Sequence, residues 1–215
     1  MILSVAPCHS KEDRRMKISN IIDLGGGRHK VTLEDGTTFP LYKKEISKWD
    51  LKEGQVLFEK DFKEIKESIL LKRAKKRALY LLEKTGRSES NLASKLKEGF
   101  YPEDIVENAV NYAKSFGYLD DENFARNLLE SRMYKKSKQE IIATLKQKGL
   151  EQETIKDVFD KHYDEDSEKE AIKHHMDKKR IDLESITPKE LNKFYSYLAR
   201  KGFSFDSISS QIKKH

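Results

Sequence analysis

The residues of this chain that could perform catalysis or bind a metal lie in a few short clusters. His174 and His175 are adjacent, so their side chains point about 100° apart on a helix and make a poor pair of metal ligands. The carboxylates of residues 120–122 and 164–166 lie at predicted helix starts, where the helix dipole already favours negative charge. These clusters predict neither an active site nor a metal site, and we interpret the chain as a non-enzyme without cofactors.

Three consecutive glycines, Gly25, Gly26 and Gly27, form the segment closest in composition to a phosphate-binding loop. In such a loop a Lys-Ser or Lys-Thr pair follows the glycines and begins a helix. Here no such pair follows, and the next residues alternate in polarity as in a strand. The triple glycine therefore predicts a hairpin loop and no nucleotide site.

Basic residues form clusters that could contact phosphate groups or an acidic protein surface. The chain has 43 Lys and Arg against 37 Asp and Glu, and its net charge of +6 is not concentrated in one segment. A dedicated non-specific DNA-binding domain has a stronger bias, and solvated helix faces are the alternative interpretation. The candidate contact residues are Lys72, Arg73, Lys75, Lys76, Arg77, Arg126, Arg132, Lys135, Lys136, Lys138, Lys178, Lys179 and Arg180.

A phrase that occurs three times predicts the elements that position these cations. Gly99, Gly149 and Gly202 each follow a run of helix-forming residues, and apolar residues lie one, six and ten positions after each glycine. Glycine ends a helix in this context because it adopts the left-handed C-terminal conformation without a steric cost. The glycines are 50 and 53 residues apart. A period of this size predicts a tandem helical array in which each repeat packs on its neighbours.

Start signals precede the helix that each glycine ends. The segment from Thr187 to Glu190 is a capping box with proline at the first helical position. The segment from Ser137 to Glu140 is a second capping box, and Ser88 to Asn91 is a weaker version. The recurring order of start signal, glycine stop and apolar restart predicts two helices in each repeat.

Apolar stripes upstream of these starts predict one more helix in each repeat. The stripes are Leu70, Ala74, Ala78 and Leu82 in the first, Phe124, Leu128 and Leu129 in the second, and Ala171, His175 and Met176 in the third. We therefore predict a mainly α protein, elongated and curved, with three three-helix repeats at residues 67–119, 120–164 and 165–215. These are called repeats 1, 2 and 3.

Residues 16–66 differ in character and predict a small β-rich domain of three or four strands. The segments 29–34 and 37–42 alternate in polarity, and Asp35-Gly36 between them is a hairpin turn signal. A small helix at 43–49 and a short strand at 55–59 are expected to follow.

Residues 1–15 are expected to be a disordered extension, with Met16 as a second candidate for the first residue. No apolar run approaches the roughly 18 residues of a membrane span, and the apolar start is short and lacks the basic region of a signal peptide. A single cysteine, Cys8, excludes an intrachain disulfide and is typical of a reducing compartment. These features favour a cytoplasmic protein without a membrane partner.

An ordered phrase crosses the boundary between repeats 1 and 2. It consists of Gly117, Tyr118, Leu119, Asp120, Asp121, Phe124 and Ala125, then Arg132, then Leu145 to Gly149. This order of residues resembles the signature of the RecX family, whose members regulate the RecA recombinase, and the resemblance covers about residues 67–215. Two features depart from the family pattern. A glycine-containing basic turn often follows the arginine in the family, whereas this chain has Tyr134-Lys-Lys-Ser-Lys138, and a β-rich N-terminus occurs in only some relatives.

The same phrase has a structural interpretation. Gly117 caps one helix, Asp120 caps the next, and Leu119 and Phe124 are spaced as a hydrophobic staple. Packing explains Arg126 and Arg132 less well, so both are stronger candidates for partner contacts.

The resemblance implies a non-catalytic modulator that docks in the groove of the RecA filament on single-stranded DNA. Such a protein contacts neighbouring protomers, with single- or double-stranded DNA as a further candidate partner, and blocks filament growth, ATP hydrolysis and strand exchange. We expect it to act as a monomer in recombination, DNA repair and the SOS response. The alternatives are a stand-alone nucleic-acid-binding module, because three-helix units resemble helix-turn-helix domains, and a helical scaffold for an unrelated protein.

Overall fold

The computed structural model describes residues 15–212 and divides them into two compact units. The first unit comprises the described residues up to Thr85 together with Leu92–Tyr118. The second comprises Gly86–Asn91 and the residues from Leu119 onward. Residues 1–14, with the predicted extension and Cys8, and residues 213–215 lie outside the described part.

The first unit begins with a four-stranded antiparallel sheet in the order β3-β2-β1-β4. Its elements are β1 (Arg15–Asp23), β2 (Arg28–Leu33), β3 (Thr38–Tyr42), α1 (Lys43–Lys48) and β4 (Val56–Phe58). Because successive side chains of a strand point to opposite faces of the sheet, Val31, Phe39 and Leu41 lie on one face, where they are fully buried. The β-rich segment is therefore confirmed, and β1, which contains Met16, pairs with both β2 and β4.

Helices complete the first unit. They are α2 (Glu59–Ile65), a π-helical turn (Lys66–Leu70), α3 (Leu71–Lys84), α4 (Glu89–Lys97) and α5 (Glu103–Ser115), and α4 begins in residues assigned to the second unit. On α3 the buried residues are Ala74, Ala78 and Leu81, whereas the predicted Leu82 is only half-buried. Leu70, Ala74 and Ala78 are separated by two steps of four residues. Because one helical turn takes 3.6 residues, two such steps overshoot the buried face, and the next buried residue follows after three.

The second unit contains two separate hydrophobic clusters. Helices α6 (Asp121–Arg132), α7 (Lys138–Gln147) and α8 (Gln152–His162) enclose one, and α9 (Glu165–Lys179), α10 (Pro188–Arg200) and α11 (Phe205–Ile212) enclose the other. Ala125 and Leu129 take the buried positions of α6, while Phe124 and Leu128 are partly buried. On α9, Ile172 is fully buried and Met176 only partly. The mainly α class is confirmed, and the boundaries of the three repeats stay a prediction.

Shortening the chain so that it ends at Asp164 tests the boundary between repeats 2 and 3. We expect the remaining protein to keep its helical circular dichroism signal per residue, because Tyr163 and the cluster around Leu145 lie before the cut. Asp164 only caps α9, through the Ser167 N–H at 2.7 Å. Loss of most of the helical signal per residue would show that one core crosses this boundary.

Candidate partner-binding site

The end of α10 docks on the start of α7. Ser137 is fully buried; its Oγ accepts a hydrogen bond from the Glu140 N–H at 3.2 Å and donates one to the Lys201 carbonyl at 2.5 Å. Gly202 follows with φ of +87°, and a Cβ at this position would lie 2.9 Å from Ser137 Oγ. Gly202 is therefore required both by its backbone conformation and by this close approach.

The same contact occurs one repeat earlier. Ser88 is fully buried; its Oγ accepts from the Asn91 N–H at 3.2 Å and donates to the Lys148 carbonyl. Gly149 has φ of +81°, and a Cβ there would lie 2.7 Å from Ser90 Oγ. The recurring Lys-Gly pair therefore ends a helix and also docks it on a serine at the start of an earlier helix. We call these two contacts the serine junctions.

Gly99 does not follow this pattern, and its predicted left-handed conformation is wrong. Phe100 takes the positive φ instead, at +66°. A Cβ at Gly99 would lie 3.2 Å from the ring of Tyr101 and 3.0 Å from the Leu96 carbonyl oxygen. A residue with a side chain would be crowded at position 99, because the Tyr101 ring packs against the backbone there.

The signature phrase at residues 117–125 serves mainly to end α5 and begin α6. Gly117 has φ of +71°, and the Tyr118 N–H donates to the Ala113 carbonyl at 3.0 Å. Asp120 caps α6 by accepting from the Asn123 N–H at 2.9 Å. Asp121 accepts from the Glu89 N–H at 2.9 Å. These residues of the phrase therefore have structural roles, whereas the side chain of Tyr118 is exposed.

Three aromatic side chains near the end of the first unit are candidates that the sequence analysis did not select for contacts. Phe116 and Tyr118 are 60% and 59% exposed, and their rings stack with centroids 6.3 Å apart. The Tyr112 ring lies 4.9 Å from that of Phe116. The sequence signal for these rings is the order Ser-Phe-Gly-Tyr at the end of a helix. The helix end requires only the glycine, so the two aromatic residues beside it have no structural explanation there.

The second basic cluster lies around the turn between α6 and α7. Lys135 is exposed, Lys136 pairs with Glu140 at 2.6 Å, and the Lys138 ammonium lies 5.6 Å from the centre of the Phe159 ring. Arg132 is half-buried, with Nη1 3.5 Å from Thr144 Oγ1.

The third cluster lies at the end of α9. Lys178 is exposed, the Lys179 ammonium lies 5.0 Å from the centre of the Tyr197 ring, and Arg180 ends the helix with φ of +53°. Arg126, on α6, is exposed and donates to Asn123 Oδ1 at 2.7 Å.

His175 is affected by cations of both the second and the third cluster. It is 5% exposed, and its Nδ1 lies 3.1 Å from the Tyr197 hydroxyl. Burial lowers the pKa of His175, and the charges of His174, Lys201, Lys136 and Lys178 lower it further. Lys136 precedes the junction serine, and Lys201 supplies the junction carbonyl, so the serine junction brings these two residues close together. Lys136, Lys178 and Lys201 are called the junction cations.

The second unit is expected to lose stability in mild acid because of His175. A folded-state pKa below the ordinary value of about 6.5 means that His175 contributes stability above that pH. This contribution is lost as the pH falls through the folded-state pKa. His175→Phe keeps a ring against Tyr197 and Phe203 and should flatten the pH dependence of denaturant midpoints below neutrality. His162→Gln, at an exposed position, is the control, and equal pH profiles for wild type and His175→Phe would contradict this role.

The first basic cluster, on α3, is partly engaged in the fold. Arg73 is paired with Glu45, donates to the Pro40 carbonyl at 3.2 Å and lies over the Tyr42 ring. It ties α3 to the sheet, so it is less available to a partner than the sequence predicts.

The other four cations of this cluster are more accessible. Lys75 lies over the Tyr112 ring and Arg77 over the Tyr80 ring, at 4.5 Å and 5.3 Å. Lys72 and Lys76 are exposed and have no ion pair within residues 15–212.

Two further properties concern only the described part of the chain. Between residues 15 and 212 no group of three or more His, Cys, Asp or Glu side chains could hold a metal ion. None of the helices given above is long and apolar enough to cross a membrane.

The fold is that of a helical protein with a β-rich N-terminal segment. Comparison with known proteins shows which proteins this chain resembles. Residues 120–158 match the family model described as RecX, second three-helix domain. Regulatory protein RecX of Caldanaerobacter subterraneus subsp. tengcongensis is 29% identical over 203 residues, which cover 94% of this chain and 95% of that protein. Regulatory protein RecX of Bacillus subtilis is 28% identical over 188 residues, which cover 86% of this chain and 71% of that protein.

Two solved structures are similar to this chain as well. A crystal structure of regulatory protein RecX is similar with a TM-score of 0.56 and 25% identity, covering 93% of this chain and 100% of that one. RecX from Lactobacillus salivarius, with a TM-score of 0.57 and 21% identity over 68% of this chain and 97% of that one, shares the fold. Over nearly its whole length the chain is therefore similar to regulatory proteins of the RecX family.

Proposed function

We propose that this chain is a non-catalytic regulator that binds the RecA filament on single-stranded DNA and inhibits filament growth, ATP hydrolysis and strand exchange. The observation that carries the proposal is the similarity, over nearly the whole chain, to proteins named regulatory protein RecX. The protein acts as a monomer in the cytoplasm, where it modulates recombination and DNA repair.

The junction cations support this proposal and are its favoured contact site. Lys136, Lys178 and Lys201 come from three different helix ends, yet their charges act on one histidine. A surface held together by a buried serine and a glycine is preorganised, so it loses little entropy on binding. A RecA filament contains a polyanion, and a fixed group of cations is attracted to it.

A second candidate function is a stand-alone nucleic-acid-binding module. It is favoured by the exposed cations of α3, of which Lys72 and Lys76 have no ion pair within the part of the chain described. The two functions differ in whether RecA is required for tight binding to DNA.

Binding of the full chain to RecA-coated and bare oligothymidylate tests the two functions against each other. With RecA held on the DNA by a non-hydrolysable ATP analogue, we expect saturation at no more than one molecule of this protein per RecA protomer, with higher affinity than for bare DNA. Equal affinities for coated and bare DNA would favour the nucleic-acid module and contradict the proposed function.

A further inference from the structure

A groove in the first unit brings exposed cations and tyrosine rings together. It has a volume of about 520 Å³ and lies between β2, β3, α3 and the segment that follows α4. Three of its cations, Arg28, Lys76 and Arg77, are exposed, and its rings are Tyr42, Tyr80 and Tyr101. We call it the tyrosine groove.

The cations of the groove come from elements that are distant in the sequence. Arg28 begins β2 opposite Tyr42 in the β2–β3 ladder, and it is exposed. Lys76 and Arg77 are exposed on α3. Neither Arg28 nor Lys76 has an ion pair among the residues from 15 to 212, so both charges are available to an anion.

The other charged residues of the groove are already paired. Arg73 is bound to Glu45, and Lys95 pairs with Glu98 at 2.7 Å. The lining contains five basic side chains against a single carboxylate, that of Glu98. The net charge of the groove is therefore positive, which is complementary to a phosphodiester chain.

The rings provide flat faces beside these cations. Tyr80 and Tyr42 are 48% and 42% exposed although both are large aromatic residues. Arg77 lies 5.3 Å from the centre of the Tyr80 ring, and Arg73 lies 4.6 Å from that of Tyr42. Rings next to a cationic track are the arrangement on which unpaired bases stack while their phosphates are neutralised.

Tyr101 adds a hydrogen-bond donor to the lining of the groove. Burial raises the pKa of its hydroxyl, although the nearby charges of Arg73, Arg28 and Arg77 lower it. The hydroxyl therefore stays protonated at neutral pH and can donate a hydrogen bond. Gly99 permits this placement, because a Cβ there would lie 3.2 Å from the Tyr101 ring.

We propose that the tyrosine groove is a binding site for a single strand of nucleic acid, in which Arg28, Lys76 and Arg77 neutralise phosphates and a base stacks on Tyr80. The β-rich segment supplies Arg28 and Tyr42, which gives this part of the chain a function. The inference goes beyond binding to the RecA filament, since it requires no RecA, and it gives the second candidate function a specific site. Duplex DNA fits less well because its bases are already stacked on one another.

An acidic protein segment is the other polyanion that the groove's charge could attract. It is disfavoured because carboxylate side chains gain nothing from stacking on the exposed Tyr80 ring, whereas bases do. Polyglutamate therefore serves as the competing probe in the test.

The test measures anisotropy of a labelled oligothymidylate with the full chain and no RecA. The triple variant Arg28→Ala, Lys76→Ala, Arg77→Ala should reduce the slope of log affinity against log salt concentration by about 2. Each of the three lost phosphate contacts contributes roughly 0.7 to that slope. Tyr80→Ala should weaken binding roughly tenfold while Tyr80→Phe, which keeps the ring, has little effect. The matched control is Lys146→Ala, Lys156→Ala, Lys173→Ala, which removes the same charge from exposed positions in the second unit.

Three results would overturn the inference. One is an equal loss of slope in the control triple variant, which would mean binding by net charge alone. Another is unchanged binding in Tyr80→Ala, which would exclude stacking. The third is displacement of the oligonucleotide by polyglutamate at equal charge concentration, which would assign the groove to an acidic protein. RecA is absent from all of these measurements, so their failure leaves the proposed function standing.

Discussion

Replacing Gly202 with Ala is expected to destabilise the second unit by about 2–4 kcal/mol, from the left-handed backbone and the overpacked contact together. The backbone of Gly202 has φ of +87°, and the added Cβ would lie 2.9 Å from Ser137 Oγ and 3.1 Å from Gln139 Cβ. Both atoms belong to the start of α7, so relief requires the end of α10 to move away. Chemical denaturation followed by circular dichroism measures the effect.

Gly117→Ala is the matched control for the backbone cost. Gly117 has φ of +71°, and nothing lies within 4 Å of the position that a Cβ would take, so Ala there adds strain without a clash. A loss at Gly202 no larger than that at Gly117 would contradict the serine junction.

A double-mutant cycle with Ser137→Ala isolates the contact itself. Ser137→Ala alone removes a helix cap and a buried hydrogen bond, at a cost of about 1–2 kcal/mol. The same change also removes the oxygen that an alanine at position 202 would strike. We therefore expect the double variant to lose less stability than the sum of the single variants, and strict additivity would contradict the docked geometry.

The second large effect is expected when the junction cations are removed together. Replacing Lys136, Lys178 and Lys201 with Ala should weaken binding to the RecA filament by roughly tenfold to a hundredfold at moderate salt, because three charge contacts are lost. The fold should persist, since solvent-accessible cations contribute about 0–1 kcal/mol each. Filament binding across a salt series, with the Lys146, Lys156 and Lys173 triple variant as control, measures the effect.

Two outcomes of that experiment are decisive. If the control triple variant binds as weakly as the junction variant, net charge and not the junction governs the interaction. If the junction variant binds like the wild type, the contact site lies elsewhere, and the exposed rings of Phe116 and Tyr118 become the next candidates.

The helices could be predicted because their signals are local. A capping residue, an apolar stripe and a glycine stop all lie within a few turns, so Thr187, Asp120 and Gly202 are recognisable without the fold. The prediction failed where tertiary packing selects which of two adjacent apolar residues is buried. On α3 the predicted buried residue is Leu82, whereas Leu81 is buried. At Gly99 the glycine is required by a ring two residues later, and no helix-end rule contains that contact.

The candidate sites could be predicted only in part because their residues meet across long separations. Ser137 and the Lys201 carbonyl are 64 residues apart, and one sequence does not reveal which helix start receives which helix end. The Lys-Gly pairs at 148–149 and 201–202 were a visible signal, yet their lysines were not selected as contact residues. Arg28 and Tyr80 in the groove had no local signal, because single exposed residues of these types are common.

The most direct test of the central claim is the single-stranded-DNA-dependent ATPase of RecA, titrated with the full-length wild-type protein. The account predicts a progressive fall in ATP hydrolysis that is complete at or below an equimolar ratio to RecA, with no hydrolysis by this protein alone. It also predicts that Lys136→Ala, Lys178→Ala, Lys201→Ala shifts the titration to higher concentrations while the control triple variant does not. An ATPase rate that stays constant across the titration, with the protein folded and bound to DNA, would contradict the account.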